Sequence, residues 1–190
     1  IKVMSFPDYL FEHSKNKLRV VIGGSHGKTT ITSMVMHVLR EAGKEFDYMV
    51  GSTIQGFNTM VKLSDSAPVI VLEGDEYLSS PIDPRPKFHL YKADIGLISG
   101  IAWDHINVFP TFENYVDQFR IFAKEIPKNG TLICYSGDEH LSEIAKENVS
   151  DKSVLSYGVP EFNIEEGLTA IEFEGISYSV SVFGRHNLAN

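Results

Sequence analysis

The chain has 190 residues, 43% of them hydrophobic and 22% charged, with a formal net charge of −8. That balance suits a globular protein, and its acidity leaves no broad basic face for a general nucleic-acid binder. Cys134 alone makes neither a disulfide framework nor a thiolate metal cluster; no run approaches the roughly 20 apolar residues of a membrane helix and no signal peptide is present, so a cytoplasmic location with no membrane partner is expected.

Residues 1–17 read as a lead-in segment with about one helical turn, packing its aromatics Phe6, Tyr9 and Phe11 onto the domain. Residues 18–22 read as a strand of a buried parallel sheet. That strand stops in Gly23-Gly24-Ser25-His26-Gly27-Lys28-Thr29-Thr30 and restarts as a helix over about residues 27–42. Ile31, Met34, Val35, Val38 and Leu39 recur there at helical spacing, and Gly43 stands where a C-terminal cap belongs. His37 on this helix reads as a surface or packing histidine.

A strand that ends in glycines and reopens as a helix builds a phosphate site. Glycines let the backbone approach, and the helix N-terminus offers free N–H groups and a favourable dipole. Lys28 reaches terminal phosphates, and the Thr29 hydroxyl ligates magnesium. The general pattern G-x-x-x-x-G-K-[ST] asks for glycine where Ile22 stands, so the match is to the shorter run from Gly24 to Thr29.

Residues 68–73 read as a second buried strand that ends on acid, Glu73-Gly74-Asp75-Glu76. Ligands of open α/β sheets lie beyond the carboxyl ends of the strands. A carboxylate at Glu73 is therefore placed to reach a magnesium held by Thr29. Residues 81–92 carry three prolines and read as an irregular binding loop; Arg85 and Lys87 there either meet an anionic substrate or are solvated. Asp75, Glu76 and Arg85 are the candidate substrate contacts.

Residues 94–101 read as a third apolar strand leading to Trp103-Asp104-His105, where His105 can ligate a second cation. Thr111 is a fair N-cap for a helix over about residues 112–126, with Phe112, Tyr115, Val116, Phe119, Phe122 and Ala123 on one face. Residues 131–135 read as a strand, 139–148 as a helix and 154–157 as a strand. This alternation predicts an α/β fold with a mostly parallel sheet flanked by helices. Residues 162–164, 170–173 and 176–182 alternate apolar and polar between Gly167 and Gly175, which predicts a small antiparallel β-region near the C-terminus. Gly184-Arg185-His186-Asn187-Leu188-Ala189-Asn190 looks like the start of a helix.

Gly24 to Thr30, Glu73-Gly74-Asp75-Glu76, Asp104-His105 and Gly184 to Asn190 stand in the order and spacing of the Mur ligases, and the chain resembles their central ATP-binding domain. The resemblance implies that Gly24, Ser25, His26, Gly27, Lys28, Thr29 and Thr30 hold ATP phosphates. It implies that Lys28, Glu73 and His105 are catalytic, that Thr29, Glu73 and His105 bind Mg2+, and that His186, Asn187 and Asn190 lie at the adenine. An amide at Asn187 also suits adenine's N6/N7 edge. The implied reaction phosphorylates a substrate carboxylate to an acyl phosphate, which an amine then attacks to give an amide.

Within the family, Ser25-His26-Gly27-Lys28-Thr29-Thr30 is similar to the members that act directly on UDP-N-acetylmuramate. Their amine partner is L-alanine or the tripeptide L-alanyl-γ-D-glutamyl-meso-diaminopimelate. Asp75-Glu76-Tyr77, Lys87-Phe88, Tyr91 and Val108-Phe109 are more similar to the tripeptide-adding members. Two positions depart from pattern: Phe119 stands where later-step ligases carry a lysine, and Gly100 stands where muramate-acting members usually carry Asn. The resemblance also implies flanking domains for the UDP moiety and for the amine. On that expectation residues 18–190 are the central domain of a three-domain chain, binding Mg-ATP weakly and completing no ligation alone. A folylpolyglutamate-synthase-like ligase is an alternative, as is a non-enzymatic nucleotide-binding module, although no Asn-Lys-x-Asp tetrad is present.

Overall fold

The computed structural model describes residues 3–104, 106–165, 167–182 and 184–190. The chain opens with α1 (Phe6–Glu12), β1 (Leu18–Gly23) and α2 (Lys28–Glu41), followed by β2 (Asp47–Met49), β3 (Val61–Lys62) and β4 (Val69–Glu73). A hairpin of β5 (Leu78–Ser80) and β6 (Asp83–Pro86) leads to α3 (Lys87–Leu90), β7 (Ile95–Ile98) and α4 (Phe112–Glu125). Then come β8 (Thr131–Tyr135), α5 (Glu139–Asn148) and β9 (Ser153–Tyr157). The chain closes with β10 (Phe162–Glu165), β11 (Leu168–Phe173), β12 (Ile176–Val180) and α6 (Arg185–Leu188).

Seven strands form one sheet in the order β3-β2-β4-β1-β7-β8-β9, parallel throughout except for β3. Strands β10, β11 and β12 make a separate antiparallel sheet. The expected α/β architecture with a small antiparallel region is therefore present.

Successive residues of the central strands serve opposite faces, as the pleat requires. Val21, Ile70 and Leu72 enter a core covered by Leu10 of α1, Phe88 of α3, Phe119 and Phe122 of α4, and Leu141 of α5. Ile22 and Val71 enter a second core against Ile31 and Met36 of α2. The sheet is thus buried on both faces, which is why its strands lack alternation in the sequence. Gly96 on β7 lets α4 and its C-cap lie close to the sheet: a Cβ there would lie 2.6 Å from Ile126 Cδ1 and 2.8 Å from Phe122 Cε1.

Several expectations change in detail. The lead-in segment is a capped helix: Ser5 accepts from the Asp8 N–H, and Pro7 and Leu10 are its buried residues. Phe6 and Tyr9, expected to pack inward, are half exposed. On α2, Met34 and Val38 point outward and the buried residues are Ile31, Thr32 and Met36. The Gly43 cap holds, with φ +64° and hydrogen bonds from Gly43 N to Arg40 O and Lys44 N to Leu39 O. Strands β2 and β3 were not expected. They are three and two residues long, too short to show a period. The proline-rich stretch is ordered as the β5–β6 hairpin, and α3 starts directly after Pro86, the last of its prolines.

Candidate functional site

The sheet order reverses at β1. From β1 the chain crosses to β2 and β3 on one side, comes back to lay β4 between β2 and β1, and then adds β7, β8 and β9 on the other side. A crevice opens at such a switch point beyond the strands' carboxyl ends. The β1–α2 loop, the end of β4 and the residues after β7 all lie there.

The loop is held from behind by the end of β7. Ser99 N donates to Gly23 O (3.0 Å), Ser25 N donates to Gly100 O (3.0 Å), and the Ser99 hydroxyl donates to His26 O. Gly24 adopts φ +123°, and a Cβ there would sit 2.4 Å from Ser99 Oγ and 2.8 Å from Ser99 N. Only glycine lets the two backbones close this far. Gly27, at φ +79°, caps α2 without any side-chain hydrogen bond to the first turn. The amides that open this 14-residue helix are thereby left to a ligand, and the dipole favours an anion.

The acids after β4 divide between two partners. Thr29 Oγ1 donates to Glu73 Oε1 (2.8 Å), and Gly51 N donates to Glu73 Oε2 (2.8 Å). Glu76 is fully buried; its Oε2 takes a 2.9 Å hydrogen bond from Lys28 Nζ and its Oε1 one of 3.1 Å from Tyr115 OH. Tyr115 OH also lies 2.9 Å from Ser25 Oγ, which accepts from Ala102 N at 2.8 Å. Burial, followed by the negative charge of Glu76, drives the Tyr115 pKa well up despite its contact with Ser25, so it stays a neutral hydroxyl. Lys28 also donates to Gly24 O (2.7 Å), curling back over its own loop.

Asp75 accepts from Lys87 Nζ (2.6 Å) and Tyr77 N (3.1 Å). Its burial raises the pKa, but those hydrogen bonds and the charges of Lys87 and Lys28 outweigh it, so the carboxyl sits below its ordinary value. Beside it a cavity of ≈ 300 Å³ is lined in part by Lys28, Glu73 and Asp75.

The structure thus brings Gly24, Ser25, Gly27, Lys28, Thr29, Glu73 and Glu76 together. His26 and Thr30 lie in the same loop and first turn with exposed side chains. Asn190 arrives from the far end of the chain: its Oδ1 lies 2.4 Å from where a Gly27 Cβ would be. His186 and Asn187 are exposed on α6, with the His186 ring over Gly184. Arg85 is drawn elsewhere, its guanidinium forked against Asp83 on its own strand (2.9 and 2.7 Å). His105 lies outside the described residues. Phe119 is fully buried and stacks on Phe88 at 5.5 Å, an interior apolar position.

Ser99 and Tyr115 were missed as site residues. Tyr115 carried a faint signal, one hydroxyl on an otherwise apolar helix face. Ser99 carried none, because its role follows from the pairing of β1 with β7.

The loop fits a nucleotide's phosphates by its uncapped helix and glycine cradle. The Thr29–Glu73 pair fits Mg2+, a hard cation that takes one or two protein oxygens together with phosphate oxygens and water. No group of three or more metal-ligating side chains is present among the described residues.

A family model described as the Mur ligase middle domain matches residues 22–190. A UDP-N-acetylmuramate–L-alanine ligase of Clostridium botulinum is 33% identical over 202 residues, covering 100% of this chain and 42% of that protein. A UDP-N-acetylmuramate–L-alanyl-γ-D-glutamyl-meso-2,6-diaminoheptandioate ligase of Haemophilus influenzae is 28% identical over 144 residues, covering 75% of this chain and 32% of that protein. The chain therefore spans less than half the length of these relatives. Among solved structures, the UDP-N-acetylmuramate:L-alanyl-γ-D-glutamyl-meso-diaminopimelate ligase from Neisseria meningitides superposes with a TM-score of 0.82 at 23% identity. That match covers 96% of this chain and 61% of the other, and at such identity it speaks for the fold.

Proposed function

The chain belongs to the Mur ligase middle-domain family, and from that premise we propose that it binds Mg-ATP at the β1–α2 loop as the ATP-binding part of an amide ligase. The ligase joins UDP-N-acetylmuramate to L-alanine or to a tripeptide, by way of an acyl phosphate. The observation that carries this reading is the uncapped start of α2 beside two acid–loop pairs, Lys28–Glu76 and Thr29–Glu73.

The residues divide the work by position. Gly24 and Gly27 allow the backbone amides to close on phosphate oxygens, and Lys28 stabilises charge on the group being transferred. Thr29 and Glu73 would hold the magnesium, which neutralises phosphate charge when bound. Glu76 and Tyr115, both fully buried, fix Lys28 and Ser25 so that little reorganisation is left for the moment of reaction. Asn190, already against the loop at Gly27, supports an adenine site built from the C-terminal segment. Support for a muramate acceptor comes from both relatives, whose names share that substrate.

The test begins with Mg-ATP binding by this 190-residue chain. ATP should bind in preference to GTP, and Lys28→Met should weaken binding at least about tenfold, a lost charge-assisted contact. In the full-length protein, phosphate release with UDP-N-acetylmuramate should then require L-alanine or the tripeptide, and the one that works names the amine. Nucleotide binding indifferent to Lys28→Met sinks the proposal.

A further inference from the structure

The cavity beside the loop holds more than the nucleotide reading uses. Lys28 and Glu73 are two of its lining residues; Phe6 of α1, Asp75, Lys87 and Tyr91 also border it. Two ammonium groups therefore border one space of ≈ 300 Å³. Lys87 spends one hydrogen bond on Asp75 Oδ2, at 2.6 Å. An ammonium has three donors, so Lys87 retains capacity toward the cavity while Asp75 fixes where its nitrogen stands.

Tyr91 is the second observation. Its ring is fully buried and its hydroxyl has no hydrogen-bond partner among the described residues. A buried hydroxyl left unpaired is costly, and an acceptor entering the cavity recovers that cost. Burial, and then the negative charges of Asp75 and Glu73, drive its pKa well up, so at neutral pH it presents O–H, a donor. Lys87 and Tyr91 line the same cavity as Lys28, and their donors suit an anionic oxygen pair. Phe6 supplies an apolar wall for the carbon next to such a group.

We propose that Lys87, fixed by Asp75 and backed by the Tyr91 hydroxyl, is the specificity-determining residue that seats the acceptor's carboxylate in this cavity, next to Lys28. The inference rests on the reading that the site joins ATP to a carboxylate acceptor. It adds the residues that choose and hold that acceptor, and it makes the lead-in helix, which lies outside the family match at 22–190, a wall of the site.

The test is calorimetric titration of UDP-N-acetylmuramate into the full-length protein saturated with Mg2+ and a non-hydrolysable ATP analogue. Lys87→Met should weaken acceptor binding about tenfold or more, with nucleotide affinity within about twofold of the parent. Lys87→Arg should recover part of the loss, and Tyr91→Phe should cost about three- to tenfold. Acceptor affinity unchanged in Lys87→Met overturns the inference, and so does an equal loss of nucleotide affinity, which marks general damage. Parent protein that binds nucleotide but not UDP-N-acetylmuramate overturns it as well, leaving the nucleotide reading standing. Parent protein that binds no nucleotide fails the earlier reading, and this inference falls with it.

Discussion

Removing one oxygen at Tyr115 tests whether the buried network behind the loop is as tight as its distances imply. Tyr115→Phe keeps the ring that packs on Phe119 (centroids 5.2 Å) and Phe109 (5.3 Å) and deletes only the hydroxyl. Two contacts go with it, to Glu76 Oε1 at 3.1 Å and Ser25 Oγ at 2.9 Å. A hydrogen bond to a charged group contributes about 1.5–3 kcal/mol and a neutral one about 1 kcal/mol. Sparing the hydroxyl its own desolvation offsets part of this, which leaves a loss of about 2–3 kcal/mol. For a domain of this size each kcal/mol moves Tm by roughly 2–4 °C, so the variant should melt about 4–12 °C lower. Because Glu76 also holds Lys28, nucleotide binding should weaken as well, though less than in Lys28→Met, where the contacting charge itself is lost. Differential scanning calorimetry with and without Mg-ATP reads both effects. A melting point within about 1 °C of the parent would mean that the hydroxyl is not holding the carboxylate, and the reasoning would be refuted.

Two further outcomes depend on single residues. Gly27→Ala places a Cβ at φ +79°, which costs about 1–2 kcal/mol, and meets Asn190 Oδ1 at 2.4 Å. The Asn190 side chain can move aside, so Tm should fall only a few degrees while nucleotide affinity falls more steeply, and a melt paired with a titration separates the two. His89 is buried, which pushes its pKa below the ordinary value despite the hydrogen bond its Nε2–H donates to Gln118 O. Unfolding then takes up a proton, so this stability is present above about pH 6.5 and is lost as pH falls through the depressed folded value. Urea denaturation between pH 7.5 and pH 5.5 should show a decline of up to about 1.4 kcal/mol per pH unit that His89→Gln reduces; equal slopes in both proteins would remove His89 from the account.

What the sequence made legible was whatever carries a local signature. The strand–glycine–helix junction at residues 18–42 declares itself by composition, and the helix over 112–125 by spacing, with Thr111 capping the Asn114 N–H as its residue type suggests. Glu73 was legible because a strand end fixes where its side chain goes. The burial of Asp47 was not: the residue lies at 0% exposure, its charge taken up by Lys17, the Ser64 hydroxyl and the Ser64 N–H. Those partners are 17 and 30 residues away, joined through strands too short to be periodic. The same limit hid Ser99 and Tyr115, whose roles come from neighbours brought together by sheet order. Met34 and Val38 were misplaced for a related reason, since helical spacing offers several overlapping faces and only the sheet below α2 selects one.

The division of labour between Glu73 and Glu76 comes down to the glycine between them. Glu73 ends β4 at the rim of the sheet, where its oxygens meet Thr29 and the Gly51 amide. To bring Glu76 back under the loop, the chain has to turn inward immediately and pass close to β1. Gly74 makes that passage, with its N–H donating to Ile22 O at 2.7 Å. A Cβ there would stand 2.9 Å from Val21 Cγ1, 3.0 Å from Ile22 O and 3.2 Å from Phe88 Cβ, all fixed parts of the core. Any side chain would hold the backbone off β1 and carry Glu76 away from Lys28. Two chemically identical carboxylates thus acquire different partners, one at the half-buried rim beside Thr29 and one buried against the loop lysine, because one residue without a side chain lets the turn close.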